Sequence, residues 1–348
     1  MEEKKRKPDI MSMYPDELRK FIEDMGEKKF RADQLFSWIS KGASIDEMSN
    51  LPKSFRDMLK AETEYRMPKI AEKHVSGIDG TIKYLMELTD GECIESVFMR
   101  YEHGNTLCVS SQAGCAMGCR FCASTLKGRV RNLTASEILG QVLCAQRDTG
   151  ERVDGIVMMG IGEPLDNYDN VIRFLKLVSD PAGLCIGLRH ISVSTCGIVP
   201  GINALAESGL PVTLSVSLHA SDDTARSELM PVNRKWCIAE LLSACNGYFE
   251  KTGRRISFEY TLIAGRNDGE NDAVKLAGVI KKYMKCPVHV NLILLNEVRE
   301  TGLASSGRNN AKKFAEVLGS CGVNATVRRR LGSDIDASCG QLRLRHNK

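Results

Sequence analysis

The sequence contains no apolar run long enough to cross a membrane, no internal repeat and no low-complexity segment. Its opening residues are charged, from Glu2 to Lys7, so the apolar core of a secretory signal peptide is missing as well. A membrane-spanning helix needs about 20 mostly apolar residues in a row, which excludes that class of protein. We therefore expect a cytoplasmic protein, and the hydrophobic content of 43% over 348 residues is ample for a packed core.

A disulfide framework is not expected either, although the chain has thirteen cysteines. Disulfides stabilise mainly small secreted domains, whereas this chain is long and has no secretory signal. A cysteine in an apolar helix or strand pattern is usually a small core residue. This interpretation applies to Cys93, Cys144, Cys185, Cys196, Cys245, Cys286 and Cys321.

Three cysteines stand apart because they fall within eight residues, at Cys115, Cys119 and Cys122. A structural zinc site usually has four ligands, and the nearest further candidate, His103, lies at a spacing that fits no common zinc pattern. A cluster of four irons and four sulfides needs one ligand per iron, so three cysteines leave one iron open. The CxxxCxxC spacing favours this cluster over zinc. It is also the signature of radical S-adenosylmethionine (SAM) enzymes, in which the open iron binds the amino and carboxylate groups of SAM.

The apolar pattern divides the chain into four parts. Residues 1–65 have helical periodicity and predict a small helical module, and residues 66–105 predict a linker with a β-extension. From 106 to 330, strand-like runs alternate with helical patterns, which predicts a parallel sheet with helices outside it. About six βα units are too few for a closed eight-stranded barrel. We therefore expect an α/β fold built on a partial (βα)6 barrel, followed by a loop and tail over 331–348.

Polar residues recur where the predicted parallel strands end, which is where such folds bind ligands. Glu163 offers a carboxylate to an amino group, and Gly162 lets the backbone approach a ligand closely. Each signal alone is weak, since a glycine–glutamate turn is usually only a turn and a lone histidine is more often structural. The set predicted to bind the small molecule is Gly162, Glu163, Ser194, Ser217, Leu218, His219 and Asn296.

Taken together, six sequence strings resemble the radical SAM adenine methyltransferases of 23S ribosomal RNA. The resemblance is closest to the C2-methylating branch, which also methylates the adenosine 3′ to the tRNA anticodon. It implies one 4Fe-4S cluster on the three motif cysteines, two SAM molecules per turnover, 23S rRNA and tRNA as substrates, a flavodoxin-type electron donor and a monomer. The strings span nearly the whole chain and are Phe30–Ile39, Thr106–Gln112, Cys115–Cys122, Met159–Pro164, Ser217–His219 and Ala337–Gln341.

The resemblance also implies catalytic roles for two further cysteines and a carboxylate. One SAM methylates Cys339, and a second is cleaved to a 5′-deoxyadenosyl radical that takes a hydrogen from this methyl group. The carbon radical adds to adenine, Glu95 removes the C2 proton, and Cys108 frees the RNA by forming a disulfide with Cys339. Without the resemblance, Cys108 would be interpreted as a core thiol and Glu95 as a solvent-facing strand residue. Partial burial of Glu95, an isolated carboxylate in an apolar run, is expected to raise its pKa.

Basic clusters lie outside the predicted catalytic core, at Lys4–Lys7, at Arg328–Arg330, and at Arg343 and Arg345. One such cluster is most simply a solvated surface, and the net charge of +4 is mild. Three clusters together favour a nucleic-acid partner. We expect the helical module and Arg328–Arg330 to hold RNA phosphates while the target adenine is flipped out of its stack.

Two features depart from the family pattern. The strand end Leu295-Asn296-Glu297 stands where many relatives have a proline, and the nine residues after Cys339 form a shorter tail than in some relatives, which makes rRNA the firmer substrate.

Two alternatives stay open. One is C8-methylation, as in the related antibiotic-resistance enzymes. The other is a non-catalytic RNA-binding protein with zinc or an iron–sulfur cluster, which would need neither Cys108 nor Cys339.

Overall fold

The computed structural model describes residues 7–296, 299–335 and 337. These residues form ten α-helices, of which none is long and apolar enough to cross a membrane. The helices are α1 (Pro15–Asp24), α2 (Phe30–Ile39), α3 (Lys53–Glu62), α4 (Ala135–Thr149), α5 (Tyr168–Val178), α6 (Val199–Glu207), α7 (Asp223–Leu229), α8 (Ile238–Thr252), α9 (Glu270–Tyr283) and α10 (Arg308–Ser320).

The same residues form twelve β-strands, ten of them in one sheet and two in a small hairpin. The strands are β1 (Lys69–Val75), β2 (Ile82–Glu87), β3 (Cys93–Tyr101), β4 (Gly104–Cys108), β5 (Gln112–Gly114), β6 (Arg129–Asn132), β7 (Gly155–Met158), β8 (Ile191–Thr195), β9 (Thr213–Ser217), β10 (Ile256–Leu262), β11 (Val288–Leu294) and β12 (Ala325–Val327).

The large sheet has the order β1-β2-β3-β4-β7-β8-β9-β10-β11-β12. Strands β1 to β4 pair antiparallel, and β4 then begins a parallel series that runs to β12. Helices connect the parallel strands, which is the connection that parallel pairing requires. The predicted partial barrel with a β-extension is confirmed. The short strand β12 adds a seventh parallel strand that the sequence pattern did not predict.

Helix α4 shows how the sequence sets a helix in place. Thr134 caps its N-terminus and accepts a hydrogen bond from the backbone N–H of Glu137, whose carboxylate accepts from Thr134 N–H in return. Gly150 ends the helix with a φ of 69°, a left-handed conformation that glycine adopts without strain. The residues from Ala135 to Ala145 are all buried, so α4 is covered on both sides.

The outer cover of α4 is the N-terminal helical module. Phe36 and Ile39 of α2 pack with Leu139 of α4 and Leu177 of α5 around one small internal cavity. Polar contacts flank this apolar contact, since the Arg147 guanidinium pairs with Glu47 at 2.8 Å. Apolar side chains of the module and of the barrel therefore form one continuous core.

Candidate active site

Two adjoining cavities open at the carboxyl ends of the parallel strands. The first, the cluster cavity, has a volume of about 230 Å³ and is lined by all three motif cysteines. The second, the Cys108 cavity, has a volume of about 150 Å³ and is lined by Cys108 and by the exposed run Arg328–Arg330. Met159, Ile293 and Arg328 line both cavities and form their shared wall.

The motif cysteines lie in the loop between β5 and β6. The backbone N–H of Cys115 donates to Gly128 O at 3.1 Å and closes the loop at its base. The Thr125 hydroxyl donates to the carbonyls of Cys119 and Cys122, at 3.2 and 2.9 Å. Cys119 packs in a small apolar cluster with Cys196, Leu229 and Met230. The loop is thus folded against the barrel mouth by contacts of its own residues.

The three motif thiols suit a metal cluster. Burial raises the pKa of the Cys115 thiol to about 12, and burial with the neighbouring thiols raises the pKa of Cys119 well above its usual value. A bound cation reverses this effect, because thiolates are the form that ligates metals. Three thiols around a common cavity suit a polynuclear iron–sulfur cluster, which accepts one ligand at each iron.

Glu163 follows strand β7 and is held by two backbone donors. Its Oε1 accepts from the N–H of Leu165 at 3.0 Å, and its Oε2 accepts from the N–H of Cys196 at 2.7 Å. The side chain is buried, which raises its pKa. The preceding Gly162 has a φ of 108°, and a Cβ there would lie 2.6 Å from the Cβ of Gln112. Only glycine therefore allows this turn, which brings Glu163 to the cavity.

His219 follows strand β9 in the left-handed region, with a φ of 54°. Its Nδ1 accepts from the backbone N–H of Thr261 at 2.9 Å. Burial, with a smaller effect of the Arg226 charge, lowers the pKa of His219 to about 3. The ring is therefore neutral and carries its proton on Nε2. It meets the ring of Phe121 edge-on at 4.8 Å between centroids, which joins the cysteine loop to β9.

Five of the seven residues predicted to bind the small molecule line the cluster cavity, namely Gly162, Glu163, Ser194, Ser217 and His219. Leu218 does not line it, because its side chain is fully buried in the main core. Asn296 lines the Cys108 cavity instead. The structure thus brings most of the set together and separates Asn296 from it.

The sequence analysis missed two buried charged residues at this end of the barrel. The guanidinium of Arg226 donates to the carbonyls of Leu218, Cys196 and Ser217, so it ties together the ends of β8 and β9. Glu259 lines the cluster cavity from β10. Like Glu95, it is an isolated carboxylate in an apolar strand run, but the family resemblance assigned it no role.

Cys108 ends strand β4 and packs with Val97 and Met99 of β3 beside its cavity. Glu95 lies two residues before Val97 on the same face of β3, since side chains alternate along a strand. It is 2% exposed, and its Oε2 lies 3.1 Å from Nζ of the buried Lys83. The sequence pattern alone indicated a solvent-facing, isolated carboxylate, and that prediction is wrong because Glu95 is buried and paired. Glu95 also lines neither cavity.

Several predicted residues lie outside the described part of the chain. These are Cys339, most of the basic cluster Lys4–Lys7, and Arg343 and Arg345. Ala337, two residues before Cys339, is described and lines the Cys108 cavity. The pairing of Cys108 with Cys339 stays a prediction.

The sequence matches two models of known protein families. Residues 109–277 match the radical SAM superfamily, and residues 8–64 match the ribosomal RNA large subunit methyltransferase N-terminal domain. The chain is 51% identical over 341 residues to the probable dual-specificity RNA methyltransferase RlmN of Alkaliphilus oremlandii (strain OhILAs), covering 98% of each chain. It is 49% identical over 336 residues to the protein of the same name from Clostridium novyi (strain NT), covering 96% of this chain and 97% of the relative.

A solved structure has the same fold over nearly the same length. It is the crystal structure of a radical SAM methyltransferase from Sphaerobacter thermophilus, with 39% sequence identity and a TM-score of 0.91. The match covers 96% of this chain and 98% of that one.

Proposed function

The chain belongs to the family of radical SAM dual-specificity RNA methyltransferases, and we propose that it methylates C2 of a specific adenosine in 23S rRNA and of the adenosine 3′ to the tRNA anticodon. The observation that carries this proposal is the pair of adjoining cavities. One is lined by the three motif cysteines, and the other is lined by Cys108 and three exposed arginines. A radical source and an adenine pocket can therefore meet across one shared wall.

Members of this family use a 4Fe-4S cluster and SAM. Cys115, Cys119 and Cys122 would hold the cluster, and Glu163 and His219 would contact SAM. When bound, the cluster would supply the electron for reductive cleavage of SAM and so provide a radical able to abstract hydrogen.

Two cysteines are needed because C2 of adenine is electrophilic and resists direct alkylation by SAM. Cys339 carries the methyl group that becomes bonded to C2. Glu95, whose carboxylate is buried beside Lys83, accepts the C2 proton after its side chain turns towards the Cys108 cavity. The unpaired electron of the RNA adduct would return to the cluster. The Cys108 sulfur then attacks the Cys339 sulfur. The carbon–sulfur bond breaks as the disulfide forms, and the carbon keeps the electron pair and takes a proton to become the methyl group.

RNA binding needs phosphate contacts and an extruded base. Arg328–Arg330 are exposed at the rim of the Cys108 cavity and are suited to bind phosphates. A base that is flipped out of its stack exposes C2 to the radical, which it cannot do inside a helix. We also propose a flavodoxin-type electron donor, which is usual for the family, a monomeric enzyme and a cytoplasmic location.

The deciding experiment is mass spectrometry of nucleosides from 23S rRNA and tRNA after anaerobic reaction with the cluster-loaded protein and SAM. We expect 2-methyladenosine in both RNAs. A product methylated at C8 would replace the proposal by its nearest alternative. No SAM cleavage and no methylated nucleoside would favour the non-catalytic RNA-binding alternative.

The carbon carrier is tested separately by the mass of the intact protein and by peptide mapping of Cys339. A methyl group on Cys339 is expected in protein purified with its cluster. An unmodified Cys339 in cluster-replete protein supplied with SAM would remove the proposed carrier.

A further inference from the structure

The chain that leads to Cys339 is held by the turn between β1 and β2. The Asp334 carboxylate accepts two hydrogen bonds from this turn, one from Ser76 Oγ at 2.6 Å and one from the backbone N–H of Gly77 at 2.8 Å. Both carboxylate oxygens therefore bind donors that lie more than 250 residues earlier in the chain. The hydrogen bond from Ser76 lowers the pKa of Asp334, so the side chain is ionised at neutral pH and its hydrogen bonds are charge-assisted.

The same turn holds a second point of this chain, with donor and acceptor reversed. The backbone N–H of Gly332 donates to Asp79 Oδ2 at 2.9 Å, and Asp79 Oδ1 accepts from the N–H of Thr81 within the turn. Gly332 has a φ of 60°, and a Cβ there would lie 2.5 Å from the Cβ of Ala337. The N–H of Ala337 also donates to Gly332 O at 3.1 Å. The chain thus folds back on itself where the turn holds it, and only glycine allows this close approach.

The anchor segment, which we define as residues 331–335 and 337, also forms part of the Cys108 cavity. Leu331 and Ala337 pack with Cys108 in one apolar cluster, and both line the cavity. Cys339 follows Ala337 by two residues, and two residues of chain span at most about 7 Å. The anchor segment therefore tethers the Cys339 thiol close to the Cys108 cavity.

We propose that the turn between β1 and β2 positions Cys339 for its reactions, with Asp334 and Asp79 as positioning residues, and this rests on the proposed function. A thiol that meets SAM and later the Cys108 sulfur has to stay near two adjoining cavities. Fixing the anchor segment raises the effective concentration of Cys339 there, because a tethered group reacts as an intramolecular partner. Strand β1 lies at the sheet edge with mostly exposed side chains, so it adds little to the core. Holding the anchor segment gives this hairpin a function.

The test measures the effective concentration of the two thiols as a disulfide equilibrium with glutathione. The protein is purified without its cluster and loaded with it afterwards, anaerobically and without SAM, so that Cys339 carries no methyl group, which its peptide mass verifies. Oxidised glutathione takes two electrons and two protons from the Cys108 and Cys339 thiols and leaves as two molecules of reduced glutathione. Peptide mapping after alkylation gives the fraction with the Cys108–Cys339 disulfide.

The largest change is expected in Asp334→Ala. The equilibrium constant for the disulfide should fall about tenfold, because two hydrogen bonds that hold the anchor segment are lost. Asp334→Asn retains one acceptor oxygen and should lie between this variant and the wild type. Asp79→Ala, which removes the bond to Gly332, should lower the constant a few-fold. The matched control is Ile78→Ala in the same turn, whose side chain is 71% exposed, and it should keep the wild-type constant.

Two outcomes overturn the inference alone. A wild-type equilibrium constant in both Asp334→Ala and Asp79→Ala would show that the anchor segment does not need the turn. A lower melting temperature with an unchanged constant would make these contacts merely structural. Wild-type protein that forms no Cys108–Cys339 disulfide would instead contradict the resolving role of Cys108 in the proposed function, on which the inference rests, so the two failures are distinct.

Discussion

The cluster cavity and the Cys108 cavity share a wall, yet they are built from different parts of the chain. Nearly all residues around the cluster cavity lie within 109–277, the segment that matches the radical SAM superfamily. Apart from Met159, the residues around the Cys108 cavity lie outside that segment, on β3, β4 and the chain from β11 onward. In the proposed function, the radical source is therefore the part of the fold that the superfamily shares, and the adenine-directed part is built from β3, β4 and the chain from β11 onward.

The two cavities also differ in how their polar groups are held. Glu163 and His219 lie in turns after strands, and backbone N–H groups fix them there. Cys108 ends strand β4, where antiparallel pairing with β3 sets its position, and the nearby Glu95, which lines neither cavity, lies within β3. A substitution in one cavity should therefore leave the structure of the other cavity unchanged.

The largest effect is expected from Cys119→Ser, which removes a thiolate from the cluster. A serine hydroxyl does not replace a thiolate at iron, so iron content, SAM cleavage and RNA methylation should all be lost. Iron and sulfide analysis of anaerobically purified protein measures this. Cys196→Ser is the matched control, because Cys196 is a buried cysteine of the same cavity outside the motif. It should retain the full iron content, and loss of iron in both variants would make Cys196 a ligand as well.

Cys108→Ala should separate the role of the Cys108 cavity from that of the cluster cavity most clearly. The variant should retain its cluster and cleave SAM, but it lacks the thiol that resolves the RNA adduct. A covalent RNA–protein complex should then accumulate, visible by denaturing electrophoresis. Cys144→Ala, which changes a buried thiol in α4, should form no such complex. Normal turnover by Cys108→Ala would remove the resolving role and with it the division of labour between the cavities.

Lys83→Met tests how much the buried pair of Lys83 and Glu95 contributes to the free energy of unfolding. It leaves the Glu95 carboxylate buried without its cation, which costs about 3–5 kcal/mol in the free energy of unfolding when a buried pair is broken. The double variant Lys83→Met with Glu95→Gln should recover part of this loss, because the unpaired charge is gone. Denaturant unfolding of the two single variants and the double variant measures the coupling. Equal losses without recovery would mean that the two residues do not act as a pair.

The smallest effect is expected from Arg329→Ala, at the exposed rim of the Cys108 cavity. The affinity for RNA should fall a few-fold, the slope of its salt dependence should decrease by about 1, and the iron content should not change. Arg152→Ala is the control, since Arg152 is exposed before β7, at the opposite end of the barrel strands. Unchanged RNA affinity at moderate salt in Arg329→Ala would contradict the assignment of this rim to RNA.

The alternation of strands and helices was enough to predict the barrel from the sequence, because each buried strand is a short apolar run. Strand β1 was missed for the opposite reason. It lies at the edge of the sheet and is rich in charged residues, so its side chains are mostly exposed and no apolar pattern reveals it. Strand β12 has only three residues, too few for any periodicity.

The site was predictable where a residue and its role share a short stretch of chain, as in the cysteine motif and the turn at Gly162 and Glu163. Contacts between residues far apart in the sequence were not predictable. The pairing of Lys83 with Glu95 depends on the register of β2 against β3, which the sequence pattern does not specify. The separation of Asn296 from Ser217 depends on how the chain turns after β11. Both facts needed the assembled sheet.

The continuous core has a consequence for the folding of the chain during its synthesis. The helices up to Glu62 leave the ribosome before the end of α4 at Thr149, which buries Phe36 and Ile39 together with Leu139. At a synthesis rate of about 5–20 residues per second, the 87 residues between those two points take roughly 4–17 s. During that interval the face of α2 that packs on α4 in the finished protein lacks that partner, and its apolar side chains are available for a chaperone to bind.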